Sequence, residues 1–209
     1  YKGAQLVETV PWAAENFENS VASILSKDCG GKPLLIINDM VEQHYRKERI
    51  PGVSVMDRNS FLQRKLVVAF PNYPIRAALP LKEKAPKTDK ASAATAIYIF
   101  AAVPSSEPFA KTMGAARASL IPIAGFGLLP VESSDMVKAL AAKISKKEKS
   151  KSAWTVFIGQ HQNGGLRQIV TKNGEIALTR MTPIIDKDSD PEQWVNEVNQ
   201  EFNATMSYL

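Results

Sequence analysis

The sequence predicts an α/β protein in which mixed sheets are covered by helices and divided into two lobes. Three observations carry this. Short apolar runs alternate with amphipathic helical stretches from Pro33 to Ile144. Asn173-Gly174 then separates two strand-like segments, and this pair is the strongest short hairpin signal a sequence carries. A helical stripe of Trp194, Val198, Phe202 and Leu209 closes the chain.

The elements follow in order. Gln5–Val10 alternates weakly and reads as a strand. Phe17, Val21 and Ile24, spaced i, i+4, i+7, predict a helix over Ala13–Leu25, and Gly30-Gly31 ends it. Pro33–Ile37 is a short apolar run of the type buried on both faces, with Asn38 and Asp39 at its C-terminal end. Val41–Ile50 reads as an extended edge segment leading to the turn Pro51-Gly52. Asp57 and Asn59 are candidate caps for a helix over Ser60–Ala69 or Phe70. Its last part, Leu66–Phe70, is compatible with a buried strand as well, because a short apolar run does not decide between the two. Leu81–Ser92 is lysine-rich and is expected as an exposed loop or hairpin tip.

Thr95–Val103 is a second strongly apolar strand. Ser105-Ser106-Glu107 caps a helix to about Ser119, with Phe109, Met113 and Ala116 inward. Leu120–Ala124 is expected as a short strand broken by Gly125 and Gly127, and Asp135–Ile144 as an amphipathic helix. Trp154–Gly159 is a strand, Leu166–Lys172 and Glu175–Arg180 flank the hairpin turn, and Asp190-Pro191 opens the last helix, with Asp as cap and Pro in the first turn. The expected division is 1–92 and 93–209.

Composition narrows the classes. With 44% hydrophobic and 22% charged residues over 209 positions, the chain is neither disordered nor fibrous, and it is long enough to form a core without metal or disulfide staples. The one cysteine, Cys29, cannot form an internal disulfide, which fits a reducing compartment. No apolar run approaches the roughly 20 residues that span a bilayer, and no signal peptide is visible; because the chain starts at Tyr1 and not at Met, an anchor could lie outside it. The net charge is +5, and much of the excess is local: Lys143, Lys146, Lys147, Lys149 and Lys151 face only Glu148. A solvated loop is the plain reading of this run, and contact with an anionic membrane surface is the functional one. Nucleic-acid binding is disfavoured, because no aromatic residues interleave with these lysines and no basic helix stripe is present.

Candidate chemistry is sparse. His44 and His161 lie far apart without Cys or Glu at metal-ligand spacing, and Glu42-Gln43-His44-Tyr45 reads as a surface ion pair. No nucleophile elbow and no Walker loop occur. Gly159–Gly165 is glycine-rich and follows a strand, but a hairpin strand follows it, so no helix N-terminus would point at an anion there. Asp39, at a strand end, is the best lone carboxylate; it serves a ligand or orders its own loop. Arg167 and Arg180 lie on the two arms of the hairpin, away from its turn, where they could hold a ligand carboxylate or pair with a nearby acid.

The order of several segments resembles the actin-like proteins of pilus and secretion platforms, the PilM and GspL type. Ala94–Pro104 is similar to the strand that opens their second segment, and a helix follows. Ser119–Leu129 resembles their next strand and helix entry. Thr155–Gly159 and Leu166–Val170 look like their central hairpin, Asn173–Pro183 is similar to the strand in which a Gly is followed by Arg and then Pro, and Val195–Leu209 resembles the closing helix with its Tyr-Leu pair. In the first half, Asn38–Glu42, Glu48–Pro51, Asp57-Arg58 and Arg64–Leu66 resemble a set of bacterial relatives.

The resemblance implies an actin-type, RNase H-like fold. It also implies a cytoplasmic platform subunit at the bacterial inner membrane. Such a subunit docks on inner-membrane partners near an assembly ATPase, and in PilM-type members a groove between lobes holds a short tail of a membrane partner. Asp39, Gly159, Arg167 and Arg180 are then the partner-binding candidates, and the lysine run the membrane or anion contact. A second copy of the chain is a further candidate partner.

One departure bears on chemistry. Nucleotide-binding members carry an acidic residue just before the Ile-Gly of the hairpin strand, and this chain carries Phe157, which cannot hold a metal or water near phosphates. Their glycine pair that receives adenosine would lie beyond Leu209, and their first phosphate loop before Tyr1. The expectation is therefore a non-catalytic scaffold with no cofactor. A nucleotide-binding ATPase of the same fold, using ATP and magnesium, is the main competitor, and a nucleic-acid-binding protein is the third alternative.

Overall fold

The computed structural model describes residues 5–84, 96–144, 154–160, 165–183 and 191–208. Six helices and eight strands are described in this order: α1 (Phe17–Asp28), β1 (Leu34–Asn38), β2 (His44–Ile50), α2 (Val55–Ala69), β3 (Ile75–Lys84), β4 (Ala96–Val103), α3 (Glu107–Ala118), β5 (Ile123–Leu128), α4 (Leu129–Glu132), α5 (Ser134–Ile144), β6 (Trp154–Gln160), β7 (Gly165–Lys172), β8 (Glu175–Pro183) and α6 (Pro191–Met206). The class is mixed α/β, with a parallel pair β1–β5, a three-stranded sheet in which β2 and β4 pair antiparallel, and an antiparallel sheet of β6, β7 and β8.

Contacts divide the chain into two compact units. One comprises Tyr1–Pro80 and Ala85–Leu128, the other Leu81–Lys84 and Leu129–Leu209. The boundary at 92/93 read from the sequence lies outside the described residues. β4, α3 and β5, which the sequence groups with the second half, lie in the first unit.

β2, β4 and β3 form a sheet in that order, with β2 antiparallel to β4 from His44↔Ala102 to Ile50↔Ala96; β2, β4 and β3 as far as Pro80 belong to the first unit. β4 is the centre, and every residue from Ile97 to Val103 is buried. Alternate residues Tyr98, Phe100 and Ala102 meet Ile50 and the inward face of α2, Leu62, Leu66 and the following Phe70, to form a core. Phe61, Ala69, Tyr73 and Ala78 pack at its margin. A fully buried Phe or Leu removes enough apolar surface to stabilise by about 1.5–3 kcal/mol each.

The helices start where capping chemistry allows. Ser54, not Asp57 or Asn59, is the N-cap of α2: its hydroxyl accepts from the Asp57 amide at 3.2 Å and donates to the Asp57 carboxylate at 2.7 Å. The helix therefore begins five residues before the expected Ser60, and its periodic apolar face keeps Leu66–Ala69 helical. Ser106 caps α3 as expected, accepting from the Phe109 amide at 3.3 Å. Helix α1 begins at Phe17, later than expected, behind a turn in which the Ala14 amide donates to the Pro11 carbonyl at 3.0 Å. Gly30 and Gly31, at φ +53° and +76°, end the unit in the left-handed region that glycine tolerates.

The parallel pair joins Leu34↔Ile123 through Asn38↔Leu128. Gly125 and Gly127 do not break β5 as expected; they lie inside it, opposite Leu35 and Ile37. β1 also departs from the double burial expected of it. Its burial alternates, and Leu35 and Ile37 are exposed on the face whose partners are the two glycines. On the other face Phe126 meets Phe109 of α3 edge to face at 5.4 Å between ring centroids.

Two further expectations change. Gln5–Val10 forms no regular element, and Leu6 and Val7 are exposed there, since weak alternation without a pairing partner does not make a strand. The stretch Leu81–Lys84, expected as a loop, continues β3; 85–92 lies outside the described residues.

In the second unit β6, β7 and β8 form an antiparallel sheet in sequence order. The turn between β7 and β8 has Asn173 at φ +54° and Gly174 at φ +80°, so both central residues adopt the positive φ of a type I′ turn. Central β7 is buried from Gly165 to Thr171. α6 supplies the expected stripe in which Trp194, Val198 and Phe202 are partly buried; Leu209 and the expected cap Asp190 lie outside the described residues.

Candidate functional site

The hairpin sheet holds three of the partner-binding candidates. Cross-strand register puts Gly159, Arg167 and Met181 in one row. Ile158, Gln168 and Arg180 form the next row. Successive residues on a strand point to opposite faces, so Arg167 and Arg180 project from opposite sides of the sheet and cannot grip one carboxylate together. Arg167 is buried, while Arg180 is half-exposed.

Arg180 has a protein partner. Its Nη2 lies 2.9 Å from Glu201 Oε2 of α6, which also accepts from the Thr182 hydroxyl at 3.0 Å. The Gln168 side-chain amide donates to the Glu201 backbone carbonyl at 3.3 Å. One residue of α6 thus fastens the helix to central β7 and to edge strand β8. Glu201 was not legible as a site residue, although it sits beside Phe202 on the predicted stripe, where a carboxylate reaches the sheet. The structural ion pair is the reading that the geometry bears out for Arg180.

Gly159 sits under an aromatic ring. A Cβ placed there would lie 3.0 Å from Cε1 of Phe157, two residues back on the same face. Residues 161–164 of the glycine-rich stretch lie outside the described residues; the register on either side, Gln160↔Leu166, is that of an antiparallel hairpin.

Asp39 follows β1 in the first unit and is partly buried. Beside it, the Asn38 side-chain carbonyl accepts from the Met40 amide at 2.7 Å, the Gln43 side chain donates to the Met40 carbonyl at 2.8 Å, and the Ser106 hydroxyl lies 3.9 Å from Met40 Sδ. The loop is ordered by its own polar groups. Lys143 is exposed near the end of α5, and Lys146, Lys147, Lys149 and Lys151 lie outside the described residues.

The Glu42–His44 pair read from the sequence is present, with Nε2 3.4 Å from Oε1, and it has a third member. The Tyr73 hydroxyl donates to the same Glu42 oxygen at 2.9 Å, and its ring lies 4.3 Å from the imidazole. The hydrogen bond to Glu42 raises the Tyr73 pKa above 10.0, assisted by partial desolvation and the Glu42 charge. Tyr73 carried no sequence signal, since it comes from a different segment, between Pro71 and Pro74.

Among the described residues no group of three or more His, Cys, Asp or Glu could hold a metal ion, and no helix is long and apolar enough to cross a membrane.

No family model matches the chain, and no curated protein matches it. Solved structures do match. One is titled a PilM-PilN type IV pilus biogenesis complex; it superposes at a TM-score of 0.53 with 12% sequence identity, over 90% of this chain and 52% of that one. The chain is therefore similar in fold to that protein and spans about half its length.

Proposed function

We propose that this chain is a non-catalytic scaffold domain of actin-like, two-lobed architecture from a type IV pilus or type II secretion assembly platform, acting on the cytoplasmic side of the inner membrane. Its work is to hold partner subunits: inner-membrane platform proteins and an assembly ATPase. The observation that carries the reading is the likeness in fold, over 90% of the chain, to a protein solved in a PilM-PilN type IV pilus biogenesis complex. The order of motifs from Ala94 to Pro183 supports it independently of the coordinates.

The non-catalytic part rests on the hairpin. Phosphoryl transfer is catalysed by positioning metal and water against the phosphates, which requires oxygen ligands. At the corresponding place this chain puts Phe157, whose ring lies across Gly159. An apolar ring there offers no ligand to magnesium and obstructs the close approach of a phosphate to the glycine backbone.

Calorimetry tests the reading in two arms. Titration with ATP and magnesium is expected to give no binding heat. Titration with the cytoplasmic segment of an inner-membrane platform subunit is expected to give saturable binding. Micromolar ATP binding, or steeply salt-dependent DNA binding in place of peptide binding, would overturn it.

A further inference from the structure

Gln5–Val10 has the composition of a strand. Leu6, Val7, Thr9 and Val10 surround the one charge of Glu8, and β-branched residues favour extended backbone. Yet among the described residues no backbone group of this stretch takes part in a hydrogen bond; the nearest main-chain bond runs from the Ala14 amide to the Pro11 carbonyl. Leu6 and Val7 stay exposed. Only the base of the segment is fixed: Lys111 Nζ of α3 lies 3.5 Å from the Trp12 carbonyl and 5.6 Å from the centre of its ring. The first unit also offers a strand without a second neighbour. Among the described residues β1 and β5 form a sheet of two, so each has an outer edge of N–H and C=O groups. Proteins usually blunt such edges with charge, proline, bulges or short length. β1 has five residues and one shift of register at its start, between Leu34 and Leu35, but it carries no charge and no proline. Gly125 and Gly127 make β5 the poorer template.

We propose that these two features meet between two copies of the chain: Gln5–Val10 of each copy adds as a third strand along the outer edge of β1 in the other. The exchange is reciprocal, so one kind of contact, made twice, closes a two-fold dimer. The lengths agree, since the segment spans about 20 Å when extended and β1 about 17 Å. Main-chain hydrogen bonds supply the affinity, as in other cases of strand addition. Ordering the segment costs conformational entropy, which keeps the dimer in equilibrium with its monomer. The inference goes beyond the scaffold reading and stands or falls apart from it.

Sedimentation velocity of the full chain, from low to high micromolar concentration, should show a monomer–dimer equilibrium. Val7→Pro removes an N–H and fixes φ in the middle of the segment, where the single chain makes no hydrogen bond. Its far-UV circular dichroism should be unchanged, while the Kd of the dimer rises by about tenfold or more. Leu35→Lys puts a charge on the receiving strand at an exposed position and should weaken the dimer to a similar extent. The two defects are on opposite sides of the contact. A mixture of the variants restores one exchange per dimer, so it should associate more tightly than either variant alone. Should Leu35→Lys fail to fold, the native chain still decides: an acetylated peptide of Gln5–Trp12 in excess should convert its dimer to monomer. A monomer at every concentration would overturn the proposal. So would a dimer that Val7→Pro leaves equally tight, or slow amide exchange of Leu6–Val10 in the monomer, which would place the strand within its own chain. Binding of the platform segment by monomeric Val7→Pro would leave the scaffold reading intact in each case.

Discussion

β1 and β4 are both apolar runs read from sequence as strands, with double burial expected of β1, yet the molecule treats them differently. β4 has a strand on either side and is buried from Ile97 to Val103. Among the described residues β1 has one strand neighbour, β5, and it leaves Leu35 64% and Ile37 40% exposed over a floor of two glycines. Apolar composition specifies that a segment becomes a strand, but burial belongs to its neighbours. The second face of β4 depends on residues distant in sequence, and no local pattern in Thr95–Val103 announces them.

The sharpest way to break this comparison is to cut the same kind of side chain from each strand. Phe100 is fully buried at the centre of the first unit's core. Phe100→Ala should destabilise by about 3–5 kcal/mol, from the lost transfer energy plus the cavity left behind, read as a shift of the urea midpoint. Leu35→Ala on the exposed face of β1 should cost no more than about 0.5 kcal/mol. A large loss at Leu35 would mean that its face is covered in solution, and equal losses would erase the distinction between the two strands.

Glycines sharpen the contrast at an intermediate scale. Gly174 needs its positive φ of +80°, and a Cβ there would also press on the Lys138 side chain at 2.4 Å. The lysine can move, but the backbone cannot, so Gly174→Ala should cost about 1–2 kcal/mol, as a left-handed residue with a Cβ does. Gly125 has an ordinary strand conformation, and a Cβ there would meet only the exposed Leu35 side chain at 3.2 Å. Gly125→Ala should be close to neutral, because Leu35 can rotate into solvent. Thermal unfolding of the two variants side by side distinguishes a glycine required by conformation from one that merely makes room.

What could be read in advance followed how local the signal was. The Asn173-Gly174 turn, the Ser106 cap, the edge position of Val41–Ile50 and the Glu42–His44 pair are decided within a few residues, and each is present in the structure. The extent of β5 was misread because glycine interrupts most strands; here the parallel partners of Gly125 and Gly127, Leu35 and Ile37, lie ninety positions earlier in sequence and tolerate them. The start of α2 was missed because Asp57 and Asn59 are good caps in isolation and Ser54, three residues before Asp57, bonds it through both main chain and side chain. At the candidate site, strand alternation could have separated Arg167 from Arg180. It was not decisive alone, since facing sides depend on the registers of β6, β7 and β8 together. Glu201 and Tyr73 were invisible for a simpler reason: their partners come from other segments.

The smallest effect is electrostatic and lies at the exposed cluster of Glu42, His44 and Tyr73. Because the hydrogen bond to Glu42 and the neighbouring charge hold the Tyr73 proton, the folded pKa is raised above its ordinary 10.0. A raised folded pKa means that the interaction stabilises fully below about pH 10 and that the contribution is lost as pH climbs through the folded value. Tyr73→Phe should therefore lower stability slightly at neutral pH, where the interaction is fully present, and the difference from the native chain should shrink as pH climbs through the folded value. In protein carrying 13Cζ-labelled tyrosine, one resonance absent from Tyr73→Phe should titrate above the usual phenol range, and Glu42→Gln should bring it down by removing the charge. If that resonance titrates at its ordinary value in the native chain, the contact between Pro71–Pro74 and the start of β2 does not persist in solution.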